Sequence, residues 1–247
     1  SCLVGSEMCI RDSHCGGGLK NLYSAISNSC NSYFAVAFRK TMNKYDDSRE
    51  AMDIWSDHIK SFGLGKFLGN DLSVGKKGNI PNSEFYNNWY PDFDWGATTI
   101  LSNAIGQGEI LVTPIRLANM TCAIANKGFY YTPHIIKSIK GKAIDKKFKK
   151  KISTTINTKH FDEVIEGMYR VYKGGSASLL KIPGVDACGK TGTAENFTKI
   201  NGKKTQLTDH SIFIAFAPKE KPEIAIAVLV ENGYYGSGWA GRISSLM

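Results

Sequence analysis

Apolar residues recur at helical spacing through the first two thirds of the chain, then give way to dense β-type runs, so helices are expected before strands. Leu19 to Asn28 reads as a short helix, and a second begins near Asn31 and runs past Phe38. Met52, Trp55, Ile59 and Phe62 share one helical face, which Gly63 and Gly65 stop. From Gly65 to Trp95 the chain is rich in Gly, Asn, Pro and Asp and reads as a long excursion with little regular structure. Ala97 to Ile105 is again helical, closed by the turn Gly106-Gln107-Gly108. Thr113 is expected to cap the next helix by accepting a backbone N–H, with Pro114 at its first position. Ile115, Ala118, Cys122 and Ala125 form its apolar face, and Gly128 ends it. Phe129 to Ile139 reads as extended, and Phe161 to Tyr172 as a helix closed by Gly174-Gly175. Ala187 to Ala194, Ser211 to Ala217 and Glu223 to Glu231 are strands, the last two joined across Pro218 to Pro222 as a hairpin, and a final helix starts near Gly238. The expected fold is α+β, with helices packed on an antiparallel sheet.

Composition adds bounds. The 247 residues are 42% hydrophobic, ordinary for a folded core, and no run of 18 apolar residues crosses a bilayer. The formal net charge is +9, and much of the surplus lies in lysines 137, 140, 142, 146, 147, 149, 150 and 151. No aromatic stacking pattern or nucleic-acid motif accompanies them, so they read as a solvated connection and nucleic acid is not an expected partner. Leu3 to Ser13 resemble one reading frame of a transposon-end sequencing adapter, and residues 1–13 are therefore set aside as non-native. Residues 14–247 are expected to be one partial domain, cut at both ends. Cys15, Cys30, Cys122 and Cys188 then remain, scattered singly, which argues against a disulfide framework and against a zinc or redox site. His14, His58, His134, His160 and His210 share no metal spacing, so no metal or cofactor is expected.

The sharpest chemical signal is Lys190-Thr191-Gly192-Thr193 on a strand. An acyl-transfer enzyme must hold an extended peptide donor beside a strand, where backbone pairing fixes register. The Lys190 ammonium and the Thr191 and Thr193 hydroxyls suit a substrate carboxylate, Gly192 keeps bulk off the scissile bond, and the Thr193 N–H suits a developing oxyanion. Ser29-Cys30-Asn31 lies where two helices meet. Alone, such a serine and asparagine are commonly a helix cap. Lys-Thr-Gly and S-x-N are, with S-x-x-K, the linked motifs of penicillin-binding proteins and serine β-lactamases.

The chain resembles the transpeptidase domain of class B penicillin-binding proteins, and within them the elongation type of Bacteroidetes-like bacteria. The resemblance runs through Ser29 to Phe34, Ala104 to Ile110 with Thr113-Pro114, Tyr130 to His134, Gly189 to Glu195 and Ile243 to Met247. It implies a peptidoglycan D,D-transpeptidase using a serine acyl-enzyme. Ser29 would relay a proton to the leaving group, Asn31 would bind the substrate backbone, and Lys190 would serve the same cleft. Stem peptides and β-lactam antibiotics would be its ligands and a membrane glycan polymerase its partner, at the periplasmic face of the inner membrane. The nucleophile of S-x-x-K is expected upstream of Ser29. Neither matching segment, Ser73 to Lys76 or Ser178 to Lys181, stands there, so the chain as written is expected to be inactive. A septal penicillin-binding protein, a β-lactamase and a non-catalytic β-lactam sensor share the motifs, and the lysine run leaves a polyanion binder as a further alternative.

Overall fold

The strands form as the alternation predicts. In the computed structural model, which describes residues 20–247 apart from 72–74, β3 (Cys188–Ala194), β6 (His210–Ala217) and β7 (Ile224–Val230) make an antiparallel sheet in the order β3-β6-β7. Along β6 the side chains of Ser211, Phe213 and Ala215 alternate inward, and Phe213 is fully buried. Burial of one such phenylalanine contributes about 2–3 kcal/mol. Other strands are short: β1 (Phe129–Tyr130) pairs with β2 (Ile152–Ser153), and β4 (Phe197–Ile200) with β5 (Lys203–Gln206). The extended reading of Phe129 to Ile139 therefore shrinks to two paired residues, and the β4–β5 hairpin is an addition.

Helices α1 (Leu22–Ser27), α2 (Asn31–Met42), α3 (Ser48–Ser61), α4 (Ser83–Trp89), α5 (Pro114–Ala125), α6 (Phe161–Lys173) and α7 (Trp239–Ser244) surround two apolar cores. One core joins Ile26 of α1 and Ile165, Met168 and Val171 of α6 to Cys188, Phe213 and Phe216 of the sheet and Ala240 of α7. The other lies among the helices, where Phe38, Met42, Met52, Tyr86, Trp95 and Ile100 meet. Since α1 belongs to the first core and α2 to the second, the turn between them sits at the junction.

Several expectations need correction. Residues 65–95 are not an unstructured excursion, because α4 forms within them. Asn82 caps it on the Phe85 N–H, and Asp53 of α3 accepts from the Ser83 N–H and hydroxyl at 2.8 and 2.7 Å. Ala97 to Ile105 narrows to a 3₁₀ turn over Leu101–Ile105, ended by Gly106 in the left-handed region. Thr113 does precede α5, but its hydroxyl accepts from Arg116 instead of a backbone N–H. The buried face of α5 is the apolar one only in part, for Ala125 is buried as expected. Ile115 is exposed while Arg116 and Asn119 are buried, donating to the carbonyls of Lys66 and Phe62. In addition, Cys30 is disulfide-bonded, against the expectation of independent thiols, while Cys122 and Cys188 are free.

The lysines from 137 to 151 are all exposed. No helix among the described residues is long and apolar enough to cross a membrane. Residues 1–13, Cys15, His14 and Ser73 lie outside the described residues.

Candidate active site

Lys190 and Thr191 lie midway along β3, opposite Ile214 and Phe213 of β6. No described strand pairs with the other edge of β3, which leaves it open to a ligand strand. Facing it is the α1–α2 turn. Its geometry is set locally: the Ser29 N–H donates to Ile26 O and the Cys30 N–H to Ala25 O, while Ser29 takes a φ of +53°. A serine held in the left-handed region costs of order 1 kcal/mol, and such strain clusters at functional sites. Asn31 opens α2 immediately after.

The fold brings Ser29, Lys190 and Thr191 together across more than 160 residues of chain. The Lys190 Nζ donates to Ser29 Oγ and, at 2.8 Å, to the Thr191 carbonyl. The hydroxyls of Ser29 and Thr191 stand 3.3 Å apart. Burial draws the Lys190 ammonium down to about 8. Among the described residues no carboxylate lies within ion-pair distance of it, so nothing opposes that effect. A cation in this setting is a strong donor to an anionic ligand group, which would replace the lost hydration. The Asn31 side chain makes no hydrogen bond to another described residue.

Thr193 is placed on the same strand, and neighbouring segments grip it. Its carbonyl accepts from Gln107 Nε2 at 3.3 Å, and its hydroxyl accepts from the Gly236 N–H at 3.3 Å. The Gly236 backbone lies so close to β3 that an added Cβ would stand 2.4 Å from Gly192 O, which only glycine permits. Gln107 and Gly236 were not read as site residues. Gln107 was legible only as the centre of a turn, and nothing local to Gly236 signals that it meets a strand more than forty residues back.

Ser178 and Lys181 flank and begin the exposed end of the 3₁₀ turn Ser178–Leu180, and both are exposed. An exposed lysine keeps its hydration and lacks the burial that activates a catalytic base. Their loop does reach the strand, however, through Ser176, whose hydroxyl lies 2.9 Å from that of Thr191. His210 packs at a strand start, its Nδ1 3.2 Å from the Asn232 N–H. Among the described residues no cluster of His, Cys, Asp and Glu could hold a metal ion.

An antiparallel sheet flanked by helices, with Lys-Thr-Gly-Thr on its open edge beside a Ser-x-Asn turn, defines a domain of the penicillin-binding class. The chain belongs to the penicillin-binding protein transpeptidase family, for the family model "Penicillin binding protein transpeptidase domain" matches residues 7–245. It is 30% identical over 235 residues to the peptidoglycan D,D-transpeptidase MrdA of Acinetobacter baumannii, covering 91% of this chain and 34% of that protein. The structure of Pseudomonas aeruginosa PBP2 in complex with WCK 5153 matches 94% of this chain and 49% of its own, at 31% identity and a TM-score of 0.74. A chain in a peptidoglycan synthase complex, described for its structural coordination of polymerization and crosslinking, matches 92% of this chain and 37% of its own, at 26% identity and a TM-score of 0.72. The likeness thus falls on the elongation-type class B proteins. The chain spans about a third of the length of the curated relatives it matches.

Proposed function

We propose that the protein to which this chain belongs is a peptidoglycan D,D-transpeptidase that cross-links stem peptides through a serine acyl-enzyme. The observation that carries the reading is the meeting of the Lys190 ammonium with the Ser29 hydroxyl on the open edge of β3. The donor peptide would lie extended along that edge, its terminal carboxylate held by Lys190 and the Thr193 hydroxyl, with the Asn31 amide on its backbone and the Thr191 hydroxyl turned to Ser29. A serine of S-x-x-K, supplied by the parent protein outside these residues, attacks the penultimate D-alanyl carbonyl. The C–N bond breaks and D-alanine leaves as its amine takes a proton relayed through Ser29. The amine of a neighbouring stem then attacks the ester, releases the serine and takes up the acyl group. The Thr193 N–H would stabilise the tetrahedral oxyanion.

β-Lactams would acylate the same serine. The synthase complex among the similar structures, described for its coordination of polymerization and crosslinking, supports a glycan polymerase as partner. By the family resemblance the two would work in cell elongation at the periplasmic face of the inner membrane. The experiment is labelling with a fluorescent penicillin. The full-length protein should form an adduct on its S-x-x-K serine, and the 247-residue polypeptide should form none. An adduct on Ser178 or on any other serine within these residues would overturn the assignment of the nucleophile.

A further inference from the structure

Ser176 touches both walls of the cleft. It lies in the turn that closes α6, where the Gly175 N–H donates to Arg170 O and the Ala177 N–H to Val171 O, both at 3.1 Å. The Ser176 N–H donates to Ser27 O at 2.9 Å, at the end of α1, two residues before Ser29. Its hydroxyl lies 2.9 Å from the Thr191 hydroxyl on β3. The approach to α1 is so close that a Cβ on Gly175 would stand 2.4 Å from Ser27 O. One residue therefore ties the serine turn to the lysine strand, through its backbone on one side and its side chain on the other.

The hydroxyls form a series, Ser176 to Thr191 to Ser29, ending where the Lys190 ammonium donates. Each hydroxyl owns one proton, and an ammonium accepts nothing. Ser29 must accept from Lys190. To hand its own proton to a leaving amine, it must also accept from Thr191 and keep its O–H turned to the cleft. Thr191 has then spent its proton on Ser29, and its oxygen needs a donor. Lys190 offers one only at 3.5 Å, whereas Ser176 stands at 2.9 Å. Without the Ser176 hydroxyl the series reverses, with Ser29 donating to Thr191 and its proton pointing away from the substrate.

We propose that Ser176 is a positioning residue: its hydroxyl sets the direction of the Thr191–Ser29 series, so that the Ser29 proton faces the leaving group. The proposal rests on the transpeptidase reading for its consequence in the reaction, but the hydrogen-bond direction can be tested without it. The decisive pair, in the full-length protein, is Ser176→Thr against Ser176→Val, which share shape and differ by the hydroxyl. Two readouts apply. The first is the pH profile of acylation by a labelled penicillin; the second is the Lys190 titration midpoint, followed by NMR of 15N-labelled lysine.

Ser176→Thr should keep the acylation rate within about twofold, and Ser176→Val should lose about tenfold, part of the gain that a well-placed proton donor supplies. In the reversed series Ser29 donates to Thr191 and becomes a better acceptor for the ammonium. The Lys190 midpoint should therefore rise in Ser176→Val and return in Ser176→Thr. A midpoint that does not move between the two variants overturns the proposal, whether or not the protein reacts with penicillin. So does acylation at the parental rate in Ser176→Val. An unlabelled parental protein, by contrast, would sink the transpeptidase reading while the titration still decides the role of Ser176.

Discussion

Burial draws Lys190 down to about 8 with no carboxylate beside it, so at pH 7 the fold carries a mostly protonated and poorly solvated cation. An unfolded lysine titrates near 10.4. The folded state thus binds fewer protons than the unfolded state between those two values, and stability rises with pH across that window. Replacing Lys190 with Met should raise the melting temperature of the full-length protein at pH 7. The gain should shrink steadily as thermal denaturation is repeated up to pH 10. A variant less stable at pH 7, or a difference that grows with pH, would show that the hydrogen bonds to Ser29 and Thr191 outweigh the desolvation. Lys190 is on this account a cost to the fold, as a desolvated charge without an ion partner generally is.

At the scale of elements, the question is how a helix arises in the Gly- and Asn-rich stretch and what it supports. Tyr86 of α4 is almost fully buried, and its hydroxyl donates to Glu109 at 2.8 Å while accepting from the Asn103 amide at 2.6 Å. Burial, with the neighbouring Glu109 carboxylate, drives its phenol well above the ordinary tyrosine value, so it stays a neutral donor at any working pH. Asn103 lies in the 3₁₀ turn that leads to Gln107, and Gln107 reaches Thr193 on β3. Tyr86→Phe keeps the ring and leaves Glu109 and Asn103 each short of a partner, so it should cost about 1–3 kcal/mol in urea denaturation. Acylation of the full-length protein by penicillin should fall with it. A Phe variant of unchanged stability would mean that water replaces both bonds.

Across the whole molecule, α6 is fastened to the β6–β7 connection by one ion pair distant in sequence, Glu166 with Lys219, which an i,i+4 pair to Arg170 within α6 supports. Glu166 meets Lys219 at 2.8 Å and Arg170 at 2.8 Å, and these hydrogen bonds, Lys219 first, hold its carboxyl below the ordinary glutamate value. The stabilisation is complete above the unfolded carboxylate value and lost as pH falls through the depressed folded one. The groups are partly exposed, so Glu166→Gln should cost only about 1 kcal/mol at pH 7. In urea melts that difference should shrink as pH falls through the depressed folded value and vanish below it, where both states carry a protonated glutamate. A difference independent of pH would place the effect in packing instead of charge.

The sequence by itself determined what depends on near neighbours. The three long strands, the stops of α3 and α6 at glycines, the start of α5 at Pro114 and the helix junction at Ser29 follow from periodicity and backbone preference over a few residues. Placing Lys190 on a strand and Ser29 in a turn needed no more than that, and the family resemblance supplied their conjunction. Tertiary structure decided whatever rests on partners far along the chain. Helix α4 forms because Asp53 and Asn82 satisfy its first turn, and its buried tyrosine finds Asn103 and Glu109. Helix α5 buries Arg116 and Asn119 because the carbonyls of Lys66 and Phe62 wait for them, an arrangement invisible to an apolar count. The same is true of Ser176. In the sequence it follows a pair of helix-ending glycines; in the fold it joins Ser27 to Thr191, because close backbone approach and hydrogen bonding act through space and leave no period in the chain.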